Sequence, residues 1–173
     1  MSRSYSAALP VAYVLLRILI LLNWLMGAAI LALLVVMPNE QWIMAAFKLT
    51  PSPDADRLIM GLRVVAVIGL VTIPLNYGIL KRLVAMAESV RAGNPFVAAN
   101  AYRLHAIGWI MVALQLLSII IGAIGKAVSS PAHPVHLDAG FSLSGWLAVL
   151  LTFVLARVFA EGTVMREDLE ATV

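Results

Sequence analysis

Four apolar stretches, 12–37, 62–80, 104–125 and 141–160, leave this chain few ways to fold. Each is long enough to cross a bilayer as a helix, which takes roughly 20 residues. In hydrocarbon the backbone has no water to bond, so only helices and closed barrels span it. A barrel strand alternates apolar and polar residues, and these stretches do not. The expected fold is all-α: one polytopic domain, 1–173, with four transmembrane helices in a bundle. Composition agrees, with 62% hydrophobic and 12% charged residues, where a soluble domain carries about one quarter charged. That excludes an ordinary soluble enzyme domain and a disordered chain. The absence of Cys excludes a disulfide scaffold, thiol redox chemistry and Cys-based metal sites. The apolar run after Arg17 exceeds the ~7–15 residues of a signal-peptide core, so it reads as an uncleaved span with Arg17 snorkelling to the near interface.

Charge sets the orientation. With the N-terminus inside, the inner segments hold Arg3, Arg17, Lys81, Arg82, Arg91, Arg103, Arg157 and Arg166, and the outer ones Lys48, Arg57, Arg63 and Lys126. Eight against four puts both termini in the cytoplasm, and anionic headgroups become the partners of these cations. Tyr5, Tyr13, Tyr77 and Tyr102 then fall near the inner interface, and Trp42, Phe47 and Trp146 near the outer one. No Lys/Arg run is long enough to form a nucleic-acid groove, so direct nucleic-acid binding is not expected.

The connections differ in character. Outer loop 38–61 can carry a short interfacial helix capped by Asn39, with Trp42 and Phe47 on one face. Ser52 or Asp54 can then cap the second span. Between spans two and three, Gly93-Asn94-Pro95-Phe96 reads as a helix–turn–helix connection. Gly93 suits a left-handed helix end, Asn94 an N-cap and Pro95 a first helical position. The second helix is therefore expected to reach Arg91 and the third to start at Pro95. Together they make a cytoplasmic hairpin over 81–103, with Leu80, Leu83, Val84, Ala87 and Val90 along one face. Outer loop 126–140 and cytoplasmic tail 161–173 complete the layout.

Polar residues within spans are costly and draw functional attention. Asn23, Asn76 and Gln115 head the list, with Thr72, Ser118 and Thr152. The simplest role is hydrogen bonding between helices; lining a transport path is the other. Pro74 can kink the second span. Ser144, Ala148, Thr152, Ala156 and Ala160 recur every four residues, a row that lets helix backbones approach closely within the bundle or in a homo-oligomer. Arg17, Asn76, His105, Arg157 and Glu161 gather at the inner ends of the spans as snorkelling anchors or a headgroup site. His133, His136 and Asp138 offer three possible metal ligands, but two prolines interrupt them and no fourth ligand is evident. No metal site, cofactor or catalytic residue is assigned, and the chain reads as a non-enzyme.

Two stretches carry a resemblance. One is Gly93-Asn94-Pro95-Phe96 with Asn100, Leu104, Ile107 and Gly108; the other is Phe159, Gly162, Glu167, Asp168 and Leu169 with Thr172-Val173. They resemble a family of small bacterial four-span membrane proteins of unknown function, often encoded beside a very small helix-turn-helix regulator. The resemblance implies a multi-pass protein of the bacterial inner membrane whose hairpin and tail dock a cytoplasmic partner. The docking residues would be Gly93, Asn94, Pro95, Phe96, Asn100, Glu167, Asp168 and Glu170. By charge alone, the acidic tail can instead lie against Lys81, Arg82, Arg91 or Arg103 of the hairpin. A small oligomeric transporter, or a lipid- or small-molecule-binding protein, is the alternative.

Overall fold

The computed structural model describes residues 3–36, 44–45, 53–129 and 138–171. Within these the chain is helical throughout its long elements: α1 (Arg3–Val36), α2 (Pro53–Arg91), α3 (Ala98–Val128) and α4 (Leu143–Ala171). No strand occurs among the described residues. All four helices are long and apolar enough to cross a membrane, and the chain is a multi-pass integral membrane protein. Their 34, 39, 31 and 29 residues correspond to about 51, 58, 46 and 44 Å at 1.5 Å per residue. The hydrocarbon core is about 30 Å thick, so each helix carries several surplus turns.

The ends of α2 follow from local chemistry. Pro53 occupies its first position, where a missing N–H costs nothing. Asp54 lies inside the first turn, and Ser52, like Asn39, Trp42, Phe47, His133 and His136, lies outside the described residues. At the other end Gly93 adopts φ 79°. The Gly93 N–H donates to Val90 O and the Asn94 N–H to Ser89 O, both at 3.0 Å. This is the Schellman pattern, which satisfies carbonyls that a helix end would otherwise leave orphaned. Within the bilayer segment, α2 passes through Pro74 without interruption.

Contacts divide the chain into two compact units. The first contains Met1–Asn23, Leu75–Ala113 and Leu143–Val173. Its buried apolar residues include Val84 of α2, Leu104 and Ile107 of α3, and Val149 and Ala156 of α4. The four-residue row on α4 faces α3 here: the Thr152 hydroxyl reaches Met111 Sδ at 3.5 Å as well as its own Ala148 O. The second unit contains Trp24–Pro74 and Leu114–Ser142. Ala55, Leu58 and Ile59 are buried in it against Leu34, Met44, Leu62 and Val128. Ser118 uses one hydroxyl to hold the segment leading into α4, accepting from Gly140 N–H and bonding Gly140 O, both at 3.2 Å.

Replacing Gly93 tests the turn. A left-handed conformation costs a β-carbon-bearing residue roughly 1–2 kcal/mol. Gly93→Val is expected to lower the thermal unfolding midpoint in detergent micelles, and Gly93→Asn to lower it less.

Candidate functional site

The hairpin turn is organised by one buried amide. Asn100 is fully buried, and burial of an unpaired amide is costly. Its Nδ2 donates to Ser89 Oγ at 2.6 Å and to Pro95 O at 2.8 Å. Its Oδ1 accepts from Arg103 Nη1 at 2.6 Å, and the same guanidinium nitrogen reaches Ala85 O at 3.5 Å. Ser89 Oγ in turn donates to Met86 O at 2.7 Å. The network thus ties α2, the turn and α3 together. Through Pro95 O the amide also bonds the backbone of the turn itself.

The start of α3 differs from the sequence expectation. The helix begins at Ala98, and Asn94 does not cap it. The reason is visible in the turn: Pro95 O is engaged by Asn100, and Asn100 N–H bonds Val97 O at 2.9 Å. Residues 94–97 are thereby spent on placing Phe96. That ring lies 5.3 Å from Phe159 and against Gly162, where an added β-carbon would sit 2.9 Å from Phe96 Cδ1. Only the absence of a side chain at Gly162 lets the ring approach this closely. Asn94 is used instead by α4, through Arg166 Nη2 to Asn94 Oδ1 at 3.1 Å.

Three of the four cations named as possible partners of the acidic tail make other contacts. Arg82 Nη1 donates to Gly78 O at 2.8 Å, Arg103 serves Asn100, and Arg91 lies 5.7 Å from the Tyr13 ring centroid. The α4 end is held to the turn through Phe96–Gly162 and Arg166–Asn94. Glu167 and Asp168 are exposed, and the side chains of Leu169 and Glu170 lie outside the described residues. Asn94, Phe96, Arg166 and Glu167 also border a small recess of about 230 Å³ at the tip.

Further along the same unit, arginines from three helices share a level. Arg91 of α2 meets Tyr13 of α1, Arg103 of α3 meets Ala85 of α2, and His105 of α3 meets Phe153 of α4 edge to face at 5.5 Å. Counting 1.5 Å per residue from these contacts brings Arg17, Arg103 and Arg157 to one depth. Such a layer marks the edge of the hydrocarbon. Arg17 is fixed there by Tyr13, whose hydroxyl accepts from Nε at 3.2 Å and Nη2 at 2.6 Å. Arg157 Nε pairs with Glu161 Oε1 at 2.7 Å, both side chains being exposed, so the pair adds little stability. Beside it a half-open, mainly apolar groove of about 620 Å³ runs between α3 and α4. Tyr102 and His105 form one wall, Ala156, Ala160 and Thr163 the other, with Phe153 and Glu167 at its ends.

Comparison with known families places these features. A family model described as a protein of unknown function (DUF2975) matches residues 37–173. The chain belongs to this family. No curated protein and no solved structure matches it.

In this family member the matched region holds α2, α3, α4 and hence the whole turn, clamp and groove. Of the residues singled out from sequence, the structure brings Gly93, Asn94, Pro95, Phe96 and Asn100 together with Gly162 and Glu167 at one end of the first unit. His105 and Arg157 line the groove, Glu161 pairs with Arg157, and Arg17 joins Tyr13. Asn23, Asn76 and Gln115 are half-buried. Sequence reasoning missed Ser89, Arg103 and Arg166 as partners. Their signal was present for one: Ser89 and Asn100 stand four residues outside Gly93 and Phe96 respectively, on the two arms. Among the described residues no group of three His, Cys, Asp or Glu could hold a metal ion.

Removing the Asn100 amide strands Ser89, Pro95 O and Arg103 together. Leaving buried polar groups unsatisfied costs about 1–3 kcal/mol, so Asn100→Ala is expected to destabilise by that amount. Ser89→Ala should cost less, and the double variant less than the sum, read by denaturant titration in micelles.

Proposed function

We propose that this protein is a non-enzymatic regulatory or interaction protein of the bacterial inner membrane, whose hairpin turn and α4 end dock a cytoplasmic partner. A small helix-turn-helix DNA-binding regulator fits that role, with the membrane protein making no nucleic-acid contact itself. The observation that carries this reading is Phe96. It is 42% exposed, yet held in one place by Gly162, Phe159 and the Asn100 clamp. An aromatic ring fixed at an exposed tip beside acidic groups is the kind of anchor that interfaces use. Glu167 and Asp168 offer exposed carboxylates at this end of α4 that a basic DNA-binding protein can pair with. Lys/Arg asymmetry supports placing this tip, and both termini, in the cytoplasm.

Two experiments test the reading. Deleting residues 165–173, or changing Pro95 and Phe96 to Ala, is expected to release the partner into the soluble fraction while the protein stays in the membrane. Co-purification that survives both changes rules docking out. The natural chain has no Cys, so Asn94→Cys and Asp168→Cys can be labelled separately. Both should resist a membrane-impermeant maleimide in intact spheroplasts and react after permeabilisation, whereas Asp138→Cys should react at once.

A second reading, a small oligomeric transporter or a lipid- or small-molecule-binding protein, draws on the apolar α3/α4 groove. It requires an amphiphile that remains bound through purification and is lost when the groove is filled.

A further inference from the structure

We propose that Tyr13, Arg17 and Arg91 form a binding site for the phosphate of an anionic phospholipid headgroup, between α1 and the end of α2. The inference rests neither on partner docking nor on the α3/α4 groove. Its first support is hydrogen-bond chemistry. The Tyr13 hydroxyl oxygen accepts from Arg17 Nη2 at 2.6 Å and from Arg17 Nε at 3.2 Å. A phenol that accepts on its oxygen still has its own proton to donate. Among the described residues nothing accepts that proton. Arg17 also keeps the two N–H groups of Nη1 and one on Nη2 for a further acceptor. Arg91 approaches the same ring, its guanidinium carbon 5.7 Å from the centroid where that of Arg17 stands 5.1 Å away. Tyr13 is half-buried and both arginines are exposed, so an external group can reach all three. What these three side chains still offer is a set of donors.

Charge selects the kind of acceptor. Two cations from different helices share one ring and repel each other. The carboxylate that acts on Arg17 is that of Glu88. Among the described residues Glu88 makes no ion pair with either arginine, and one carboxylate against two guanidinium groups leaves the cluster net positive. A phosphate offers several acceptor oxygens on one anion, and guanidinium groups match its geometry with parallel N–H donors. A phosphocholine head carries the same phosphate but brings a quaternary ammonium to a positive site. A phosphoglycerol head brings no cation, so the site favours a lipid of net negative charge.

Depth selects a lipid over a soluble anion. Residues 18–36 of α1 carry no charged side chain. At 1.5 Å per residue they rise about 28 Å, close to the roughly 30 Å of hydrocarbon. Arg17 therefore stands at one edge of the hydrocarbon, and Tyr13 lies one turn further out, in the headgroup layer. Arg91, the last residue of α2, reaches the same layer through its contact with Tyr13. The protein buries only 6% of the most apolar stretch of α1, so lipid surrounds this helix. Snorkelling requires only that Arg17 reach the interface. It does not call for a tyrosine whose proton is left to donate, nor for a second arginine brought from another helix.

Native mass spectrometry of the full chain, delipidated and released from detergent micelles, tests the site. Dioleoyl phosphatidylglycerol is titrated against dioleoyl phosphatidylcholine, so that the acyl chains are the same and the headgroups differ. Phosphatidylglycerol is expected to occupy the first site in preference to phosphatidylcholine. Arg17→Gln, Arg91→Gln and Tyr13→Phe should each lower that first affinity at least about threefold. Tyr13→Phe keeps the ring and both charges, so its effect reads the hydroxyl and not net charge or a lost fold. Lys126→Gln, in the last turn of α3, removes one charge elsewhere and should leave the first affinity unchanged. A large excess of inorganic phosphate should not displace the lipid. The proposal is overturned by equal binding of the two lipids, by an affinity that Tyr13→Phe and Arg91→Gln both leave intact, or by an equal loss in Lys126→Gln. Displacement by inorganic phosphate also overturns it, because the ligand is then the free anion.

Discussion

The thickness of the bilayer is the constraint on which the rest of this molecule depends. About 30 Å of hydrocarbon is crossed by helices of 29 to 39 residues, so every helix continues into a different solvent. Inside lipid, exposed Leu and Val side chains carry no penalty. Beyond the arginine layer the same exposure does. The surplus turns are therefore where burial, hydrogen bonding and recognition have to be arranged by the protein itself. The Asn100 clamp and the Phe96 contact with Gly162 lie near the ends of α2, α3 and α4.

A helical hairpin projecting from a membrane faces an old difficulty. Isolated helices shorter than roughly 12–15 residues are marginal in water. Here each arm grows from a spanning helix, so nucleation is already complete where the chain leaves the lipid. What remains is to fix how the arms meet. Val84, Leu104 and Ile107 supply an apolar contact, but such contacts are tolerant of sliding. The Asn100 amide is not, because its donors and acceptor must find Ser89, Pro95 O and Arg103 simultaneously. A single polar residue thus sets the register of an otherwise apolar pair, a role well attested for buried Asn in helical assemblies.

What the sequence made legible follows from the same physics. The four spans, the continuation of α2 to Arg91 and the left-handed Gly93 were readable because hydropathy, helix period and turn chemistry are local signals. The beginning of α3 was not. Asn94 and Pro95 have the residue types of an N-cap and a first helical position, and only the demand of Asn100 for Pro95 O diverts them. The surroundings of the cations near the tail were equally hard to read: Arg82, Arg91 and Arg103 meet a carbonyl, an aromatic ring and an amide. Such choices depend on three-dimensional neighbours that a charge count along the chain cannot rank. Gly162 illustrates the remaining kind of blind spot. A glycine beside Glu161 near the end of α4 shows no packing role in the sequence until Phe96, more than sixty residues earlier, is seen against it.

Competition between lipid and protein for the helix surfaces then assigns the helices unequal roles. The most apolar stretch of α2 is 28% buried by the protein, whereas that of α1 is 6% buried. The protein thus covers more of that stretch in α2 than in α1. Within hydrocarbon there is no hydrophobic gain in replacing a lipid tail by another helix. Past the arginines there is, and fully burying a Val side chain in water is worth about 1.5–3 kcal/mol. On α1, Val11, Val14 and Leu15 stand exposed on the N-terminal side of Arg17, so association through that end of the helix would draw its hydrophobic drive from all three.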